Sequence, residues 1–160
     1  MITKIFHTVA VDDLMAYVFA PGKSPEVITY TMASADPGAA LADLRGYARR
    51  HGGVARPYAH IVLSLEPGES LSKLAWADVI DEYMKAMGYG MCAYIAASHG
   101  DRAHEHVHVI ASRIDGKGRR VSDSFERYRT QEIARALEKK HNLSPTPSAW
   151  DSGRDRGESH

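Results

Sequence analysis

Apolar and polar positions change period several times along the chain, and each change marks an element. Ile2–Val9 predicts a short strand, and Val11–Phe19 a short helix in which Leu14, Tyr17 and Val18 recur at helical spacing. The stretch APGKSP (20–25) breaks the chain, and Glu26–Met32 reads as a second strand. Asp36–Gly53 predicts a helix closed by two glycines, and Tyr58–Leu65 a strand stopped by Pro67 and Gly68. Leu71–Gly88 is a long helix with Leu74, Trp76, Val79, Ile80, Tyr83, Met84 and Met87 as its buried stripe and Gly88 as its cap. Gly90–Ser98 and Glu105–Ser112 predict strands flanking a histidine-rich loop, Gly116–Arg120 a turn, and Ser122–Lys140 the last helix. The segment 144–160 is rich in Ser, Pro, Gly and charge and is expected to be a disordered tail, which leaves 1–143 as one domain. Strands meeting across short connections, with helices between them, predict an α+β fold. Its mainly antiparallel central sheet should have helices packed on one face and an open groove on the other.

Composition narrows the classes without choosing among them. The 160 residues are 44% apolar and 25% charged with zero formal net charge, as in an ordinary soluble domain. No stretch approaches the roughly 20 apolar residues that a membrane span needs, and the first residues do not form a leader. The single cysteine, Cys92, excludes an internal disulfide framework and fits a reducing compartment, so a cytoplasmic location is expected. Zero net charge means that any attraction to nucleic acid must come from local patches.

The histidines change the picture. In SHGDRAHEHVHVIASR (98–113), His106 and His108 alternate with Val107 and Val109, so on a strand both imidazoles share a face and form a two-nitrogen chelate. His99, at the end of the preceding strand, would lie alongside as a third ligand; His104 also has the right parity. A set of His99, His106 and His108 leaves coordination positions open, as catalytic metals require. Asp101 is close enough to accept a hydrogen bond from a ligand's second nitrogen. Three imidazoles favour zinc, copper, nickel or iron over magnesium by softness. His7, His51, His141 and His160 read as structural or surface residues. On the Tyr58–Leu65 strand, His60 and Ser64 share one face with Val62, while Ile61, Leu63 and Leu65 take the other; from spacing alone Ser64 reads as a hydroxyl capping the following turn. Cations outnumber acids after the metal strand, and Arg113, Lys117, Arg119 and Arg120 are the candidates for phosphate contacts.

These residues carry a family resemblance. HGDRAHEHVHVIASR resembles the third motif of the mobilisation relaxases, strand-nicking enzymes of the HUH endonuclease superfamily, whose pattern is H-x-D-x-x-x-x-H-x-H. His99, Asp101, His106 and His108 fill its fixed positions, while Ser112 stands where the family carries Asn. The segment 56–89, with its H-x-x-x-S strand and PGE turn, is similar to the second motif, and LMAYVF (14–19) to the first, which supplies a catalytic tyrosine. The resemblance covers about residues 1–143. It implies an HUH-type palm and a metal-dependent nickase that joins DNA to Tyr17 through a 5′-phosphotyrosine, with Asp101 assisting. It further implies Mn2+ or Mg2+ as cofactor, although a purified sample could carry another transition metal, and Ser64 among the DNA contacts. The implied substrate is single-stranded or supercoiled DNA at an origin of transfer, with accessory and coupling proteins as partners. By helical spacing alone, Tyr17 could equally be core beside Leu14 and Val18. Two other classes stay open: a replication initiator of the same chemistry, and a non-catalytic metal-stabilised DNA-binding module, which a closed four-ligand site completed by His104 or Cys92 would favour.

Overall fold

The computed structural model describes residues 1–146; the rest of the expected tail, 147–160, lies outside the described residues. The elements run β1 (Ile2–Thr8), α1 (Val11–Val18), a 3-10 turn (Pro21–Lys23), β2 (Glu26–Tyr30), α2 (Pro37–Ala48), β3 (Tyr58–Ser64), α3 (Lys73–Ala86), β4 (Cys92–Ser98), β5 (His106–Asp115) and α4 (Glu126–Lys140). The strands form one sheet in the order β1-β3-β5-β4-β2, with every neighbouring pair antiparallel.

Strand alternation decides which side chains enter which layer. Ala59, Ile61 and Leu63 of β3 and Val107, Val109 and Ala111 of β5 are buried with the apolar stripes of α3 and α4. Tyr58, Ile95, Ala97 and Ile110 face the other way and are buried with α1 and α2. Helices therefore occupy both faces instead of one. The second layer follows from α1 itself: Val11, Leu14, Met15 and Val18 recur at i, i+3, i+4 and i+7 and need apolar cover, which α2 and this face of the sheet supply. On that same face β1 and β3 stay open, with Phe6 and Ile2 52% and 49% exposed.

Local chemistry sets the helix ends. Asp36 caps α2 by accepting from Ala39 N at 3.1 Å, and Pro37 occupies its first turn. The helix stops at Ala48, before the predicted Gly53, because Ala40 and Leu44 are its buried anchors and the polar residues after Ala48 provide no further one. Ser72 caps α3 through Ala75 N, and Gly88, at φ +95°, closes it: Gly88 N donates to Lys85 O and Tyr89 N to Met84 O. Its stripe is buried as expected except for Leu74. That side chain is 81% exposed, because two residues before Trp76 is about 200° around the helix from the buried face. The last helix begins at Glu126 instead of Ser122, since Phe125 sits in the left-handed region at φ +53° and interrupts the helical backbone. Ser144 N donates to Glu69 at 2.6 Å and Thr146 N to Glu138 at 3.2 Å, so the first residues of the expected tail are bonded to the domain. Among the described residues no helix is long and apolar enough to cross a membrane.

Candidate active site

Register brings the histidines together. On β5, His106 and His108 lie opposite Ser64 and Val62 of β3, and His108 lies opposite Ala97 of β4. The end of β4 continues into His99, whose backbone N–H donates to His106 O at 3.4 Å. Each of His99, His106 and His108 is buried and offers one ring nitrogen, and these nitrogens lie within 4.8 Å of one another. Among the described residues the grouping stops at these three. Cys92 is buried on the opposite face, and His104 only brackets His106, with ring centroids 5.7 Å apart.

The hydrogen bonds assign the tautomers. His99 Nε2 is 2.8 Å from Val18 O. A carbonyl can only accept, so Nε2 carries the proton and Nδ1 keeps its lone pair. His106 Nδ1 faces His104 O at 3.4 Å, which likewise frees Nε2. His108 Nδ1 pairs with His60 Nε2 at 2.8 Å. The remaining nitrogens of His99 and His108 are buried with no protein partner. Orphaned buried nitrogens are costly, and converging lone pairs are the donor set a divalent ion takes. The residues present therefore fit a metal.

Burial, followed by the charge of His99, pushes His60 down to about 4, and burial followed by His99, His60 and His106 pushes His108 to about 3; burial also lowers His106. These imidazoles are neutral at neutral pH, as ligands must be. In the unfolded chain the same groups take up protons near their ordinary 6.5, before the folded state does, so the unfolded state gains as pH falls. The metal-free protein should lose melting temperature as pH drops from about 7 toward 5, ahead of the range in which ordinary carboxylates titrate. A flat profile over that range would contradict buried, neutral imidazoles.

Tyr17 stands off the buried stripe of α1 and is 41% exposed. Its ring lies 5.9 Å from His99 and 5.8 Å from His108, both edge-on. Three contacts hold the end of α1 and the 3-10 turn after it against the histidine loop: Val18 O accepts from His99, Lys23 O accepts from Gly100 N at 2.9 Å, and Lys23 Nζ pairs with Asp101 at 3.3 Å. A Cβ on Gly100 would come within 3.3 Å of Ser24 Cβ, so the absence of a side chain there lets the turn after α1 sit close. Lys23 Nζ also lies 4.9 Å from the centroid of the Tyr17 ring.

Asp101 differs from its expected place. The second nitrogen of His99 is bonded by the Val18 carbonyl, and Asp101 instead joins Lys23, with its other oxygen 3.8 Å from His106 Nε2. Desolvation raises its carboxyl, but the hydrogen bond and charge of Lys23 outweigh this and hold it below the ordinary range.

The candidate DNA contacts divide. Ser64 lies on the histidine face opposite His106. Arg113 is buried on the reverse face, where it donates to Arg56 O at 2.8 Å and pairs with Asp123 at 3.3 Å, so it is a structural cation and not a phosphate contact beside the histidines. Lys117, Arg119 and Arg120 are exposed, but they sit at the far end of β5, about 25 Å along the strand from His108. Their turn packs on the end of α2, where a Cβ on Gly118 would lie 2.9 Å from Arg50 O. Ser112 is fully buried and exchanges its hydroxyl hydrogen bonds with the backbone of Ile114.

Two residues that the structure places at the histidine cluster carry no assignment from the sequence. His60 shared the polar face of its strand, a signal that parity already carried, yet its bond to His108 needs the β3–β5 register. Lys23 carried no signal beyond its charge. His60→Ala should weaken metal binding about 10- to 100-fold by leaving the proton on His108 Nδ1 unsatisfied, with partial recovery in His60→Asn. A manganese titration followed by thermal shift measures this, and unchanged affinity in His60→Ala would remove His60 from the site.

The family model described as relaxase, MobA/VirD2-like, nuclease domain, matches residues 17–143, a span that starts at Tyr17 and includes Asp101 and all three clustered histidines. No curated protein matches the chain.

Proposed function

The chain belongs to the MobA/VirD2-like relaxases through their nuclease domain, a family that nicks DNA, and from that premise we propose that it cuts and rejoins one strand at an origin of transfer through a phosphotyrosine on Tyr17. The observation that carries this reading is the half-exposed Tyr17 ring held within 6 Å of two members of the histidine cluster by its own helix end.

A phosphodiester resists attack because its anionic oxygens repel the nucleophile. His99, His106 and His108 would hold a divalent ion, proposed as Mn2+ or Mg2+, which would supply the positive charge that neutralises and orients that phosphate. Lys23 adds a second positive charge beside the tyrosine. The Tyr17 hydroxyl oxygen forms a bond to phosphorus, its proton passes to ionised Asp101, and the bond from phosphorus to the 3′ oxygen breaks. The leaving 3′ oxygen takes up a proton from solvent water. Reversal of these steps reseals the strand, because the tyrosyl ester keeps the energy of the bond it replaced. Ser64, on the same face, is proposed to contact the strand, and the exposed Lys117, Arg119 and Arg120 to meet phosphates remote from the cut. Accessory and coupling proteins and a cytoplasmic location belong to the same proposal. A three-nitrogen grouping with converging free lone pairs supports catalysis over a closed, purely structural metal site.

The test is a covalent-adduct experiment. The protein is incubated with manganese and a diverse single-stranded pool, digested, and mapped by mass spectrometry. A nucleotide on Tyr17 is expected. An adduct on another tyrosine would move the nucleophile, and none at all with a loaded metal site would sink the reading.

A further inference from the structure

Among the described residues, none covers the open half of the histidine-bearing sheet face. Register puts Phe6 opposite His60 and Lys4 opposite Val62, so the outward side chains of β1 extend the same face that carries the site. On this surface Phe6 is half exposed although it is the largest apolar side chain of β1, while α1 and α2 cover β4 and β5 beside it. The rings form a row. Phe6 lies 5.7 Å from His60, tilted by 39°, and His60 stacks on His108 at 5.1 Å and 21°. Tyr17 closes the side of this row, 6.4 Å from His60.

Resting on the nuclease reading, we propose that β1 is a single-strand track on which Phe6 stacks an unpaired base of the substrate next to the scissile phosphate, with Lys4 meeting the neighbouring backbone. Every base has a π-face, so an exposed aromatic beside a nuclease site binds any unstacked base. A paired base keeps its faces against its neighbours and cannot use the ring. Lys4 supplies the charge complementarity that an apolar patch alone lacks. The continuity of this face with the cluster argues for the occupant: a strand whose phosphate reaches Tyr17 can run on across β3 and β1, the part of this face that α1 and α2 leave uncovered.

The experiment uses the full chain in chelator, which prevents turnover, and measures by anisotropy its binding to a labelled single-stranded 20-mer pool and to the same pool as duplex. Phe6→Ala and Phe6→Leu should weaken single-strand binding about 5- to 100-fold, Phe6→Trp should retain it, and duplex binding should change less than about two-fold. Leucine keeps the apolar contact with His60, so the pair of variants separates stacking from folding, and melting temperatures check that each variant folds. Equal single-strand affinity in wild type and Phe6→Ala, equal losses on both DNA forms, or no single-strand binding by the unaltered protein would each overturn the track. The adduct experiment reports separately. An adduct on Tyr17 with no Phe6 effect sinks only the track, whereas a Phe6 effect without an adduct leaves the track and sinks the chemistry.

Discussion

Tyr17→Phe should abolish the covalent adduct and lower strand cleavage on the order of 10³-fold or more, while manganese binding and melting temperature stay near those of the unaltered protein. The substitution removes one oxygen and keeps the ring that touches His99, His108 and His60. Among the described residues the Tyr17 hydroxyl makes no hydrogen bond that the core depends on, since the buried stripe of α1 is Val11, Leu14, Met15 and Val18. Tyr30 ends the edge strand β2, and Tyr58 is buried at the end of β3 away from the clustered histidines, so neither stands beside the cluster as Tyr17 does. A denaturing gel with labelled DNA measures the adduct, and full activity in Tyr17→Phe would show that the tyrosine only lines the site.

His106→Ala should remove the thermal stabilisation by manganese and reduce cleavage about 100-fold or more. Of the three clustered histidines it is the cleanest to truncate, because its other nitrogen makes only a long contact to His104 O, whereas His108 also satisfies His60 and His99 also holds Val18. Metal at a hundred times its dissociation constant stabilises the folded state by about 2.7 kcal/mol, which for a domain of this size is a rise of roughly 5–10 °C. That rise should shrink to near zero in the variant, whose metal-free melting temperature should change far less. An unchanged manganese shift would place the ion elsewhere.

The two predictions draw on different kinds of information. The shared face of His106 and His108 was legible from residue spacing, because a strand puts alternate residues on one side whatever surrounds it. His99 as third ligand needed only that β4 and β5 pair across a short loop, which the spacing also favours. Arg113 shows the limit. Its charge pointed to phosphate, but strand parity turns it to the reverse face, where Arg56 O and Asp123 hold it. The basic turn shows the same limit by distance, since β5 carries it away from the histidines.

Tyr17 marks the boundary most clearly. Helical spacing alone could make it core, and the family motif could make it a nucleophile. The structure leaves it outside the stripe and clamps its helix to residues more than 75 positions away, through Val18 with His99 and Lys23 with Gly100 and Asp101. His60 became a partner of His108 only when β3 paired with β5, 48 residues apart. By itself, then, the sequence determined the strands, the helices apart from the ends of α2 and α4, most of their buried stripes and the shared histidine face, because periods of two and 3.6 residues are written locally. The order β1-β3-β5-β4-β2, the second helical layer, the tautomers and the approach of Tyr17 were decided by tertiary structure. They depend on which distant segments bury one another, and that choice belongs to the whole chain's competition for apolar cover.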